Sequence, residues 1–192
     1  MEGPVDTDTP GSRVIWVIAY AATALECSLV LAGASTPGGA WGLLLAALIL
    51  GLPLAGGWAV LFVATAVDRR GRFGRRELGG WMAIPVAGLL ALVLVTADVP
   101  LRTRFELSRG PLEDAARRVQ AGETLASSPA GLFTIDGSWV EAGGVYLVIA
   151  DAGAGITGDC GLLYQASGEP APQGSITFRH LVGPWWTFDY YW

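Results

Sequence analysis

A few residues in this 192-residue chain have types and spacing suited to chemistry. Glu26 is a carboxylate inside an apolar run, and an ionisable residue within a membrane span is by default a functional candidate, as a proton-relay group or a contact to a partner helix. The bland alternative is a protonated or hydrogen-bonded carboxyl facing Thr23, Ser28 or Thr65 within a helix bundle. Cys160 and His180, with Asp159 or Asp189 as orienter, have the residue types of a nucleophilic dyad. His180 is the only histidine, so any histidine-based catalysis must use it. No recognised signature surrounds Cys160, and a structural histidine is the favoured reading. The tail Trp185, Trp186, Thr187, Phe188, Asp189, Tyr190, Tyr191, Trp192 concentrates aromatic side chains, which are enriched at interfaces and also stack on sugars or sit at a membrane surface. Trp185, Trp186, Phe188, Tyr190, Tyr191 and Trp192 are therefore the candidate interaction residues, with Trp139 and Tyr146 as candidates for the same patch. The alternative is a last strand whose alternate rings fill a small core.

Other chemistries find little support. One histidine and one cysteine outside the apolar runs do not make a closed zinc site. The segment from Asp151 to Asp159 has a calcium-loop flavour but only two carboxylates and no EF-hand spacing. The chain contains no Lys, so no phosphate-binding G-x-x-x-x-G-K-[ST] motif exists, and no Asn, so no N-glycosylation acceptor. No cofactor, metal or enzymatic activity is expected. Cys27 and Cys160 should be held apart by membrane depth, each as an unpaired thiol.

The elements that must position these residues follow from hydropathy. The chain is 52% hydrophobic and 15% charged, with the charge deficit concentrated in blocks. Residues 1–13 read as a disordered cytoplasmic lead. Three apolar runs, at about 14–34, 41–67 and 81–99, are each long enough to cross the hydrocarbon core, which takes about 20 helical residues. The second run has Pro53 as a point for a kink. An Ala32-Gly33-Ala34 sequence also fits a signal-peptide cleavage site, against which stand the acidic leader, the length of the run and Glu26 within it.

Between runs two and three, the loop 68–80 carries Arg69, Arg70, Arg72, Arg75 and Arg76. Basic loops beside spans are retained on the cytoplasmic side. This fixes an expected topology in a bacterial cytoplasmic membrane, with the N-terminus in and the C-terminal domain outside. Residues 100–192 carry six Arg against ten Asp plus Glu, an acidic balance that gives no footprint for nucleic acid.

Within 100–192, Ser108 as N-cap and Pro111 in the first turn predict a helix over about 110–121. Leu112, Ala115, Ala116 and Val119 would form its apolar face. Short β-prone runs follow at 132–141, 144–150, 161–166, 175–181 and 185–191, with a hairpin turn at 141–144. The predicted fold is an α-helical three-span bundle plus a small extracytoplasmic α+β domain, one helix on an antiparallel sheet. Small residues recur every fourth position: Ala24, Ser28 and Ala32 in span one, Ala47, Gly51, Ala55 and Ala59 in span two, and Ala83, Ala87 and Ala91 in span three. Such stripes allow close helix packing within one unit or between copies.

This arrangement resembles the pilin-like one. Asp159-Cys-Gly-Leu-Leu-Tyr164, Gly168-Glu-Pro170 and His180-Leu-Val-Gly-Pro-Trp185 are similar to phrases in uncharacterised actinobacterial membrane proteins with a few spans and a Trp-rich outer tail. The resemblance covers residues 100–192 and implies an outer domain of this kind but no activity. Three spans and no prepilin-type leader depart from true pilins. The sequence thus points to a membrane-anchored interaction or accessory subunit of a cell-envelope complex, with a protein partner or a second copy engaged through the spans and outer domain. A small transport or proton-coupled subunit using Glu26 is the rival.

Overall fold

The computed structural model describes residues 10–68, 74–153, 158–166, 168–171 and 173–191. Four helices precede six strands: α1 (Pro10–Gly33), α2 (Trp41–Asp68), α3 (Arg75–Thr96), α4 (Val99–Gln120), β1 (Ser128–Ala130), β2 (Phe133–Glu141), β3 (Gly144–Ile149), β4 (Gly158–Tyr164), β5 (Ile176–Val182) and β6 (Trp185–Tyr191). Three helices are long and apolar enough to span a membrane, over Val14–Gly33, Trp41–Asp68 and Leu78–Thr96. Helix α1 begins at Pro10, within the lead expected to be irregular, because proline suits the first turn of a helix. Helix α2 continues through Pro53 and α3 through Pro85.

In the bundle, α1 packs against both α2 and α3. Most large apolar side chains of the spans point outward, Leu52 and Val60 among them, as expected where lipid is the solvent. Close packing is local: Ala47 and Gly51 of α2 are buried, whereas Ala24, Ser28 and Ala32 of α1 and Ala55 and Ala59 of α2 are exposed. Half of the α2 stripe and Ala91 of the α3 stripe are therefore buried within the unit, whereas the whole α1 stripe is left exposed. At the end formed by the C-terminus of α2 and the N-terminus of α3, rings do the packing. Trp81 stands edge-on to Trp16 and Phe62, with centroids 4.7 and 5.6 Å away. The Trp58 indole donates to the Trp81 carbonyl at 3.1 Å.

Helix α4 differs from expectation. It starts at Val99, directly after a turn at Asp98 in the left-handed conformation (φ 55°), and so runs 22 residues rather than a dozen. Ser108 is not its cap but a fully buried mid-helix residue whose Oγ accepts the Leu132 N–H at 2.9 Å. Pro111 lies in the helix interior on the solvent side, beside exposed Gly110 and Leu107, so the hydrogen bond it forgoes is on a face open to water. The buried face Leu101, Phe105, Ser108, Leu112, Ala115, Ala116 and Val119 includes the predicted stripe and extends it about three turns toward the apolar helices.

The six strands form one antiparallel sheet in the order β1-β2-β3-β4-β6-β5. Ala142 and Gly143, with φ of 48° and 79°, make the tight β2–β3 turn. One face of the sheet packs on α4 around Phe133, Ile135, Leu147, Leu162 and Trp185. Gly161 in β4 is required by its surroundings: an added Cβ would run into the Leu147 carbonyl oxygen and come within 2.7 Å of the Phe188 ring. Gly161→Ala is predicted to destabilise the sheet domain by about 2 kcal/mol, read as a lowered thermal midpoint in micelles. An unchanged midpoint would show that the packing here is loose.

Candidate functional site

Strand β6 sorts the aromatic tail by the period-two rule. Trp185 points toward α4, fully buried, with its ring edge-on to Phe105 and Tyr164 at 5.4 and 5.1 Å. It is a core residue and is not available to a ligand. Trp186, Phe188 and Tyr190 point to the opposite face, which no helix among the described residues covers. Tyr191 closes β6, and Trp192 lies outside the described residues.

Strand register assembles that open face in rows. Trp139, Tyr146, Leu163, Trp186 and His180 lie side by side across β2, β3, β4, β6 and β5. The next row is Gly137, Val148, Gly161, Phe188 and Phe178. Gly161 leaves room for the Phe188 ring to lie along the sheet; Phe188 and Tyr146 meet at 5.3 Å, and Trp139 stacks on Tyr146 at 4.9 Å with planes 6° apart. Tyr146, Leu163 and Phe188 are buried, while Trp139, Phe178, Trp186 and Tyr190 are half-buried. The sequence reading of Trp139 and Tyr146 as members of this patch agrees with their placement. It missed Ile176 and Phe178, whose alternation in Ile176-Thr-Phe-Arg-His180 is the signal that places them on this face.

At one corner of the face a groove of about 390 Å³ runs between β2 and the approach to β5, lined by Trp139, Glu141, Gln173, Gly174, Ser175, Ile176 and Tyr190. The Tyr146 hydroxyl and the Gln173 side chain hydrogen-bond beneath it. Burial, and then the nearby Glu141 carboxylate, hold the Tyr146 phenol above its ordinary pKa.

A second site lies where the bundle meets the sheet. The α1–α2 loop docks on the sheet end: Gly153 N–H donates to the Gly39 carbonyl at 2.9 Å, and Ala40 bridges Gly153. Gly38, at φ 68°, lies so close to Cys160 that a Cβ would be 2.6 Å from its Sγ. Arg104 of α4 completes the joint, with Nη1 donating to Ser35 Oγ at 3.1 Å and Nη2 to the Leu132 carbonyl at 2.6 Å, and its guanidinium 4.5 Å from the Phe133 centroid. By sequence Ser35–Gly39 is a short turn only, since its partners lie far along the chain, Arg104 69 residues from Ser35 and Gly153 and Cys160 farther still. Beside the joint, a cleft of about 740 Å³ is lined by Trp41, Asp136, Asp151, Asp159 and Cys160 among others.

The cysteine–histidine dyad is not formed. Cys160 pairs with Asp189, whereas His180 pairs with Trp186 on the opposite face. Three residues along and two strands across place them roughly 14 Å apart. His180 instead bonds the Gly183 carbonyl through Nε2 at 3.0 Å and stands against Trp186, clamping the β5–β6 turn. Both cysteines are free thiols. Among the described residues, no three His, Cys, Asp or Glu side chains gather in a metal-binding group.

Glu26 sits against α2 at Gly51, where a Cβ would overlap its carboxylate and come 2.9 Å from its Cδ. The polar residues expected to face it do otherwise. Thr23, Ser28 and Thr65 donate to the carbonyls of Ala19, Ala24 and Leu61 in their own helices at 2.7–2.8 Å, satisfying each hydroxyl locally. Arg69, Arg70 and Arg72 lie outside the described residues, and Arg75 and Arg76 open α3. Searches against protein-family models, curated proteins and solved structures find no match to this chain.

Burial, followed by the Asp189 hydrogen bond and the Asp189 and Asp159 charges, pushes the Cys160 thiol up from 9.0 to about 12. Its neutral form is therefore favoured by folding. The stability it contributes is complete below about pH 9 and is lost as pH rises toward 12. Maleimide labelling at pH 8, followed by peptide mapping, should modify Cys160 at least a hundredfold more slowly in the folded than in the unfolded chain. Equal rates would contradict this account.

Proposed function

We propose that this chain is a membrane-anchored interaction module, an accessory subunit of a cell-envelope complex, whose sheet domain engages a partner through its open aromatic face. The observation that carries the reading is the cluster of half-buried rings, Trp139, Trp186, Phe178 and Tyr190, on a sheet face that no helix among the described residues covers. Contiguous apolar patches with aromatic residues and few charges are typical of interface centres. In the proposed topology, the ends of α2 and α3 that bracket the arginine segment lie in the cytoplasm. The sheet, at the other end of the bundle, then stands outside a bacterial cytoplasmic membrane. The packing of α4 on an antiparallel sheet, straight after a membrane helix, supports the pilin-like comparison at the level of architecture. The exposed stripe Ala24, Ser28 and Ala32 leaves a face of α1 for a second copy or a partner helix.

A transport or proton-coupled role keeps one specific observation in its favour, the half-buried Glu26 carboxylate against Gly51. Among the described residues, the hydroxyls of Thr23 and Ser28 nearby on α1 are bound to carbonyls of their own helix, and Thr65 lies about 21 Å along α2 from Gly51.

Removing the tail is a poor test, because β6 is an interior strand and Trp185 belongs to the core. Point substitutions on the open face are better. After mild crosslinking in native membranes, the proposal expects a specific partner in fixed ratio to the chain. Phe178→Ser and Trp186→Ala should reduce its recovery at least tenfold with the thermal midpoint retained, and Glu26→Gln should leave it unchanged. Loss of function in Glu26→Gln, with partner recovery unaffected by either face variant, would transfer the reading to transport.

A further inference from the structure

The groove at the corner of the aromatic face has the chemistry of a sugar subsite. A gluco-configured pyranose presents an apolar C–H face and a rim of equatorial hydroxyls. The groove offers both complements. Trp139, Tyr190 and Ile176 supply apolar surface, and Glu141, Gln173 and Ser175 supply a carboxylate acceptor, a carboxamide that both donates and accepts, and a hydroxyl. No cation is among its lining residues, so it offers no charge partner for phosphate. Its volume of about 390 Å³ lies within the range of ligand pockets, roughly 300–1,000 Å³, and suits one or two rings.

The groove is also preorganised. Trp139 is held by stacking on Tyr146 at 4.9 Å, and the Tyr146 hydroxyl in turn fixes the Gln173 amide. A binding surface set in this way loses little side-chain freedom when a ligand arrives. Trp139 and Glu141 come from one strand, two positions apart, and so project from the same face of the sheet.

We propose that this groove binds a β-linked, equatorially substituted hexose or hexosamine chain, and that the sheet domain thereby attaches to envelope polysaccharide. The assignment rests on the reading of this face as an interaction surface outside the membrane.

The test uses the full chain in a detergent without sugar headgroups, titrated calorimetrically with a β-1,4-linked N-acetylglucosamine tetramer and with the matching glucose tetramer. Saturable binding of either is expected, weakened at least tenfold by Trp139→Ala and by Glu141→Ala and changed less than twofold by Leu107→Ala on the exposed side of α4. Glu141 is exposed at the β2–β3 turn, so its variant keeps the test informative even if Trp139→Ala disturbs folding. Binding of neither tetramer, or binding indifferent to both groove substitutions, overturns the assignment. If that happens while Phe178-dependent partner recovery persists, the groove is not a sugar site and the interaction module stands. If both fail, the interaction reading falls as well.

Discussion

The alternation of side chains along β6 governs the sheet domain. Because β6 lies between β4 and β5, each of its residues is committed to one face by its neighbours on both sides. Trp185 goes to α4 and, with Phe105 and Tyr164, anchors the helix on the sheet. Trp186, Phe188 and Tyr190 are thereby sent to the other face, where no helix waits for them. A one-residue slip would exchange the two sets and bury the wrong rings. The open aromatic surface is thus a direct consequence of building the core, and Gly161 lets the Phe188 ring settle close to the backbone.

The sheet domain is joined to the membrane helices at several points rather than by a tether. The Gly39–Gly153 hydrogen bond, the Gly38–Cys160 contact and Arg104 tie the α1–α2 loop to the sheet. On the other side, Arg179 of β5 pairs with Asp98 in the α3–α4 turn at 3.1 Å. That exposed pair contributes little energy by itself, but it lies on the opposite flank from Arg104 and adds a second point of orientation. The neutral Cys160 thiol fits this joint as a packing and hydrogen-bonding group, consistent with its raised pKa. The orientation of the aromatic face is in this way set by the bundle.

The spans were legible because lipid imposes a one-dimensional rule on sequence: a long apolar run and little else. The strands were legible from alternation and from Gly-bearing turns, and five of the six appeared at nearly the expected places. The start of α4 was not, since Pro100, the charges at Arg102, Arg104 and Glu106, and Pro111 all suggest irregular chain locally. Its helicity there depends on burying Leu101 and Phe105 against the sheet. The three-residue β1 is too short to carry a pattern. The insertion of β6 between β4 and β5, the docking of Ser35–Ala40 and the Gln173–Tyr146 contact are long-range pairings, which no local periodicity encodes. Glu26 was legible as a residue out of place, but its seat on Gly51 was not.

The envelope partner and the sugar site both require the sheet domain to lie outside the membrane. The direct measurement is labelling by an impermeant maleimide in spheroplasts of the native host, with the parent chain as background. Cysteines are introduced singly at Thr177, exposed on β5, and at Gly74, exposed just before α3. The account predicts that Thr177→Cys reacts in intact spheroplasts and Gly74→Cys only after permeabilisation. The reverse pattern would place the aromatic face in the cytoplasm and contradict both the envelope partner and the sugar site.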